Sequence, residues 1–488
     1  MSYPFAGRSP EKLYRFLYDI FSTPRPSRHE EKMAEYVIDF AKERGLEYIT
    51  DEMHNVLVRK PASPGMEDVP PVLVEGHMDM VTIKAPDSDH DFMKDPIDLQ
   101  VEGNWVHGNR TTLGADNGCA VAIMLGILDD EEMIHPEIEC IFTVQEELGC
   151  YGIQGFDMSL FHSRRVIGLD AGSEGVFRKG VSSKYINQYA IPVTREAAEG
   201  ELWEICVYGL KGGHASVAFQ VDRACAIKLA GRLAYKILEA FPEARLEQIS
   251  KTVNRGVAED CLLRILLPAK DAGALDQLLK EEEASMRSEY EESEPDLAIR
   301  AQKLPEKEAR VMDEASGKRI ANAIYLMPYG SFRRVIERGE EPRFYLTTRY
   351  ITTEEDKVLV DNLISTDKRV NGIEYQKQIH AFFRLFGAEI TKDEFSFGWD
   401  PEEDSRIRET MRQTYVELFG KEPVINVSHG GNDCVYIKER IPEFDVVTTA
   451  ATYPDYHTIN ERLDMDSFEK VFLLVKTTIS NLCREKES

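Results

Sequence analysis

The stretch IFTVQEELG (141–149) carries an apolar run onto two adjacent acids, Glu146 and Glu147. Neighbouring side chains on a strand point to opposite faces, so such a pair can serve one site only where the strand gives way to a turn. The same placement recurs nearby. PVLVEGHMDMV sets His77 and Asp79 just past an apolar run, TTLGADNG sets Asp116 ahead of a helical pattern, and RRVIGLD ends on Asp170. Ligands of open α/β sheets gather at the carboxyl ends of the strands, so these residues can converge on one crevice. A cluster of carboxylates there would repel itself, and burial would raise the pKa values and neutralise it. Divalent cations remove the difficulty. His nitrogen with Asp and Glu oxygen suits Zn²⁺ and admits Mn²⁺ or Co²⁺, whereas Mg²⁺ prefers oxygen and water. Two ions ~3.5 to 4 Å apart need a bridging carboxylate and about two further ligands each, which these runs supply. Taken singly, His77 reads as a hydrogen-bonded core histidine, Asp116 as a helix N-cap and Asp170 as a turn acid. Their ordered recurrence is what those plainer readings do not explain.

The elements that must position these residues follow from periodicity. EEKMAEYVIDFAKERG (30–45) has helical spacing and a closing glycine, and NVLVRK, PVLVEG, EIECIFTV and RRVIGLD read as strands. DNGCAVAIMLGILDD (116–130) reads as a buried helix with Asp116 at its start, where an acid suits the helix dipole. Near residue 186 the pattern changes to ELWEICVYGL as strand, VDRACAIKLAGRLAYKILEAF as amphipathic helix and CLLRILLPA as strand. After EEEASMRSEYEESEPD (281–296), read as an exposed acidic segment, the order recurs: RFYLTTRYI as strand, a helix near EDKVLVDNLISTDKRV, and AEITKDEFSF. The α/β pattern resumes near 397 with SRIRETMRQTYVELFG, FDVVTTA and MDSFEKVFLLVKTTISNL. The expected fold is α/β. A discontinuous domain of residues 1–185 and 397–488, with a mostly parallel sheet flanked by helices, receives an inserted α+β domain of residues 186–396 containing two β-α-β halves.

The 488 residues carry 86 acids against 59 bases, a formal charge of -27 that repels nucleic-acid backbones and anionic membranes. The eight cysteines are scattered with no C-x-x-C pair, as expected of reduced thiols in a cytoplasmic protein. No segment reads as a secretion signal or transmembrane span.

Through RPSRHEEKMAEYV, VRKPASPGME, GHMDMV, HDFMKDPI, TTLGADNG, EELG, GLKGGHAS and YHTINE, the chain resembles the M20 family of dinuclear metallopeptidases. Within that family it is most similar to the bacterial aminoacyl-histidine dipeptidases. The resemblance implies that Asp116 bridges two divalent ions, most readily Zn²⁺, with His77 and Asp170 on one and Glu147 and His457 on the other. It implies that Asp79 fixes the tautomer of His77, and that Glu146 is the general base for the attacking water. The insert would be a lid. His214 in GLKGGHAS would stabilise the oxyanion, and Arg349 would bind a substrate carboxylate or form a surface ion pair. His429, in VSHGGNDC, would touch substrate or hold a turn. The substrate would be a small peptide, Xaa-His or a broader Xaa-Xaa dipeptide, and homodimers are common in the family. The chain departs from the family pattern where Asp260 stands in place of a usual asparagine, and at Asn432 and Asp433 in the glycine loop. Other readings of the same fold are an amidohydrolase on N-acyl amino acids, an aminopeptidase, or a catalytically silent binding protein; the last predicts a lost ligand or a lost Glu146, and none is lost.

Overall fold

The computed structural model describes residues 3–171, 173–213, 223–251, 256–332 and 344–484, which form two compact units, Met1–Val181 with Trp399–Ser488, and Ser182–Gly398. The changeover falls there because strand Ser183–Pro192 pairs with Lys357–Thr366 and Glu389–Ser396, inside the second unit.

The first unit is built on an eight-stranded sheet in the order Glu47–Thr50, Val56–Lys60, Ile138–Thr143, Val72–His77, Arg165–Gly168, Asp445–Thr448, Val176–Val181, Val424–Ser428. Its four central strands, Ile138–Thr143 through Asp445–Thr448, run parallel. Their carboxyl ends therefore share one edge, and His77 lies opposite Thr143 in the register. Helices flank the sheet. Helix Ala115–Asp129 is almost wholly buried, packed on strand Val72–His77 and covered by helices Glu11–Ser22 and Met465–Leu482. That burial explains a sequence with no polar face. The helix start lies so near the strand that a Cβ on Gly76 would stand 2.8 Å from both Ala120 Cβ and Asn117 Oδ1. A glycine before His77 is what lets the Asp116 segment reach the strand end.

The second unit holds two main antiparallel sheets. One orders Arg245–Ser250, Cys261–Leu267, Glu201–Tyr208, Ala298–Lys303; the other orders Gly330–Phe332, Phe344–Thr353, Lys357–Thr366, Ser183–Pro192, Glu389–Ser396. In the first, Glu201–Tyr208 and Arg245–Ser250 both run antiparallel to the strand between them and are joined through helix Ala226–Ala240. In the second, Lys357–Thr366 and Glu389–Ser396 flank Ser183–Pro192 in the same way, joined through helix Arg369–Arg384. Each is a β-α-β unit, but not with the strands expected: Arg245–Ser250 stands where Cys261–Leu267 was expected after the first helix, and Lys357–Thr366 where Phe344–Thr353 was expected before the second. One local reading is corrected. The expected helix near 355–370 is strand Lys357–Thr366, and the helix begins at Arg369. Its apolar residues fit both periods, and a ten-residue hairpin with Phe344–Thr353 decides for strand. The acidic segment 281–296 is mostly exposed, as expected; it continues helix Ala272–Glu289, with Met286 buried and the buried Glu282 paired with Arg232 and Lys236.

Candidate metal centre and active site

The site lies at the carboxyl edge of the parallel strands of the first unit. His77 ends its strand, and its Nε2 stands 3.4 Å from Asp116 Oδ1. The other Asp116 oxygen, Oδ2, stands 3.3 Å from His457 Nε2, which is 2.7 Å from Glu147 Oε1. One carboxylate thus faces two histidines through its two oxygens. Ligand atoms of His77, Asp116 and Glu147 lie within 4.8 Å of one another, and so do those of His77, Glu146 and Asp170.

The adjacent acids find their explanation in the turn. Gln145 has φ 54, which ends the strand, and the N–H groups of Glu146 and Glu147 both donate to Asp79, at 3.0 and 3.3 Å. The same buried Asp79 accepts from Ser27 Oγ at 2.7 Å and lies 3.3 Å from His77 Nδ1. It thereby locks the two-acid turn to the histidine. Asp116 sits at the start of helix Ala115–Asp129 with φ -78 and ψ 101, the extended backbone an N-cap adopts, but its side chain takes no backbone N–H: Oδ1 has no hydrogen-bond partner and Oδ2 faces His457. The N-cap reading is set aside. Instead, Glu461 receives the N–H groups of Leu113, Gly114 and Asp116 at 2.8, 3.1 and 3.3 Å. From the other side the buried Arg25 donates to the carbonyls of Met78, Asp79 and Gly114 at 2.9, 3.1 and 2.5 Å. Arg25 and Glu461 are positioning residues that sequence reading missed. Both lie within stretches that carry the resemblance, yet their partners are backbone groups of distant segments. Arg25→Met strands three buried carbonyls and should cost ~3 to 5 kcal/mol of stability, read by denaturant unfolding; a change within ~0.5 kcal/mol would show that the guanidinium bears no such role.

Asp170 lies half-buried just past its strand, and Asn432 Nδ2 donates to its carbonyl at 2.7 Å. The glycine loop therefore supports a site residue from behind, and its His429 is buried. In the second unit, Arg349 Nε donates to the buried Asp361 at 2.5 Å, and Asp260 pairs with Lys251 at 2.7 Å beside Glu259 at 2.9 Å. His214 lies outside the described residues.

The electrostatics call for cations. Among the described residues no Lys or Arg pairs with Asp116, Glu146, Glu147 or Asp170, and buried Asp116 Oδ1 has no hydrogen-bond partner. Burial, then repulsion by Asp170, pushes Glu146 well above the usual carboxylate range; burial, then Asp116, does the same to Asp170. Burial works against the charge of Asp116, but contacts with His457 and His77 hold its carboxyl well below that range. Burial lowers His457, yet Asp116 and Glu147 outweigh it and raise the group to about 10. Oxygen and imidazole donors in this number, around an unsatisfied carboxylate oxygen, fit a pair of divalent ions. Below the site, burial raises Glu75 to about 8, Asp433 to about 6 and Glu461 to about 7. An acid whose folded pKa exceeds its unfolded one holds its proton more tightly when folded, so stability is lost as pH rises from ~4 to about 8. His457, also raised, stabilises below its ordinary value and loses that contribution as pH climbs toward about 10. The metal-free protein should therefore melt at a lower temperature at pH 8 than at pH 5; the reverse order would contradict this electrostatic picture.

The family described as Peptidase family M20/M25/M40 matches residues 73–481. A cytosol non-specific dipeptidase of Escherichia coli (strain K12) is 29% identical over 482 residues, 97% of this chain and 98% of its own. The crystal structure of aminoacylhistidine dipeptidase from Vibrio alginolyticus superposes with a TM-score of 0.85 at 30% identity, covering 98% of this chain and 97% of that one. Aminopeptidase PepT from Bacillus cereus shares the fold at a TM-score of 0.59 and 16% identity, over 97% of this chain and 98% of its own. With the family match spanning most of its length and an aligned relative over nearly all of it, this chain belongs to peptidase family M20/M25/M40, and is a metallopeptidase by that membership.

Proposed function

We propose that this protein is a dipeptidase that uses two divalent cations, held around Asp116, to hydrolyse Xaa-Xaa dipeptides, Xaa-His among them. The observation that carries the reading is the Asp116 carboxylate, its oxygens 3.4 and 3.3 Å from the Nε2 atoms of two histidines. His77 and Asp170 would complete one site, Glu147 and His457 the other. Bound there, the cations would supply Lewis acidity that polarises the scissile carbonyl and acidifies the attacking water, with Zn²⁺ best matched to the donors and Mn²⁺ or Co²⁺ compatible. Asp79, whose Oδ1 lies 3.3 Å from His77 Nδ1, would hold that nitrogen and fix the tautomer. Glu146 takes the proton of the attacking water on its carboxylate and hands it to the leaving amine. The reading of Glu147 as ligand and Glu146 as base is supported by the 2.7 Å contact of Glu147, not Glu146, with His457.

Dipeptide substrates are supported by the two full-length relatives, one named for aminoacylhistidine dipeptides and the other for non-specific dipeptides. Ser182–Gly398 is proposed as the lid, from which His214 would stabilise the oxyanion and Arg349 and Asp260 would bind the substrate, with His429 contributing from the glycine loop. Arg349 is oriented by Asp361, and Lys251 neutralises Asp260, so neither presents a bare charge. Eight free cysteines suit a cytoplasmic setting, and no described helix is long and apolar enough to cross a membrane. A panel of dipeptides, tripeptides and N-acyl amino acids tests the assignment: fastest turnover is expected on dipeptides, and preference for N-acyl amino acids would replace it by an amidohydrolase.

A further inference from the structure

Beneath the EE turn lies a second cluster of metal-ligand types that the reading above does not use. Cys150 Sγ donates to Glu146 Oε1 at 3.3 Å, and ligand atoms of Glu146, Cys150 and Asp433 all lie within 4.8 Å of one another. Glu146 and Cys150 are fixed in one turn, where Cys150 N–H donates to the Glu146 carbonyl at 2.8 Å. Asp433 heads helix Asp433–Arg440 and is fully buried; its Oδ2 is taken by the Thr143 hydroxyl, and its Oδ1 has no hydrogen-bond partner. Among the described residues no Lys or Arg pairs with Asp433. A buried, half-satisfied carboxylate with no cation close by is costly unless something neutralises it.

We propose that Cys150 Sγ, the Asp433 carboxylate and the Glu146 carboxylate form a third divalent-cation site, selective for thiophilic ions such as Cd²⁺ or excess Zn²⁺, whose occupancy inhibits the peptidase. A tetrahedral ion with M–S ~2.3 Å and M–O ~2.0 to 2.2 Å holds its sulfur ~3.5 to 3.7 Å from each oxygen. The Cys150–Glu146 separation of 3.3 Å, now a thiol hydrogen bond, is a few tenths of an ångström short of that spacing. The sulfur sets this site apart from the imidazole and carboxylate donors around Asp116, because thiolate favours softer ions. On binding, the Cys150 thiol releases its proton to solvent and the sulfur pair goes to the metal, with no redox change. Inhibition follows because Glu146 becomes a ligand and can no longer accept a proton, a consequence that rests on its reading as the base.

The test is Cd²⁺ titration of the protein carrying its two catalytic ions, following dipeptide hydrolysis and the ultraviolet cadmium–thiolate charge-transfer band together. The expected result is one further Cd²⁺ per chain, band and inhibition rising in step. Cys150→Ala should remove the band and move the inhibition midpoint, relative to its own uninhibited rate, at least tenfold higher; Asp433→Asn should weaken the band. Cys150→Ser is the alternative if the alanine variant does not fold. Inhibition of wild type without a thiolate band, or an unchanged midpoint and band in the Cys150 variant, overturns the site. A Cys150-dependent band with undiminished turnover leaves the cation site standing and overturns its inhibitory role. Failure of Glu146 as the base would instead show as retained turnover in Glu146→Gln, with the wild-type band unaffected.

Discussion

Glu146→Gln is expected to keep both metal ions and lose ~10² to 10⁴-fold in kcat, the range a positioned general base contributes. The amide preserves size and can still accept from the Cys150 thiol, but it cannot take up a proton. Glu146 lies 4.0 Å from His77 Nε2 and shares a possible ligand set with His77 and Asp170, so the variant also separates two roles. A base leaves metal content at wild-type level while turnover collapses. A ligand gives parallel loss of metal and activity. Unchanged turnover would remove Glu146 from the chemistry altogether.

Asp116→Ala should have the larger effect on metal content. Loss of an outer partner of a metal ligand typically costs ~10 to 100-fold in affinity. Asp116 faces both histidines directly, so its removal should weaken both ions by at least that much and take activity below detection. The variant also relieves repulsion in the buried acid cluster, because Asp116 opposes ionisation of Asp170 and Glu147. It also loses the contacts with His77 and His457 that hold the Asp116 carboxyl well below its usual range, so the metal-free variant should be no more stable than metal-free wild type, and it should gain much less in melting temperature from added metal. Equal metal-induced stabilisation of the two proteins would contradict a bridging role.

The grouping of His77, Asp116, Glu146, Glu147 and Asp170 could be read from the sequence because each lies just beyond a local hydrophobic pattern, and parallel strands place such positions on one edge. His457 gave no such signal, since it follows a loop after Asp445–Thr448, and only the resemblance pointed to it. Arg25 and Glu461 were illegible for a different reason. They bond to backbone groups from 53 to 348 residues away, and nothing in their own neighbourhoods encodes those partners. Cys150 and Asp433 meet only because helix Asp433–Arg440, which follows the edge strand Val424–Ser428, packs against helix Tyr151–Gly155 and strand Val72–His77. The misplaced helix at 355–370 arose where VLVDNLI satisfies both periods, and the hairpin partner that settles it is a tertiary fact.

The central claim is that Asp116 organises a two-metal hydrolytic site. It is tested most directly by measuring divalent metal content and dipeptide hydrolysis on one sample, before chelation, after chelation and after metal is restored. The account predicts two ions per chain, loss of both metal and turnover on chelation, and recovery of both together. Full dipeptide hydrolysis by protein stripped of divalent metal would contradict it.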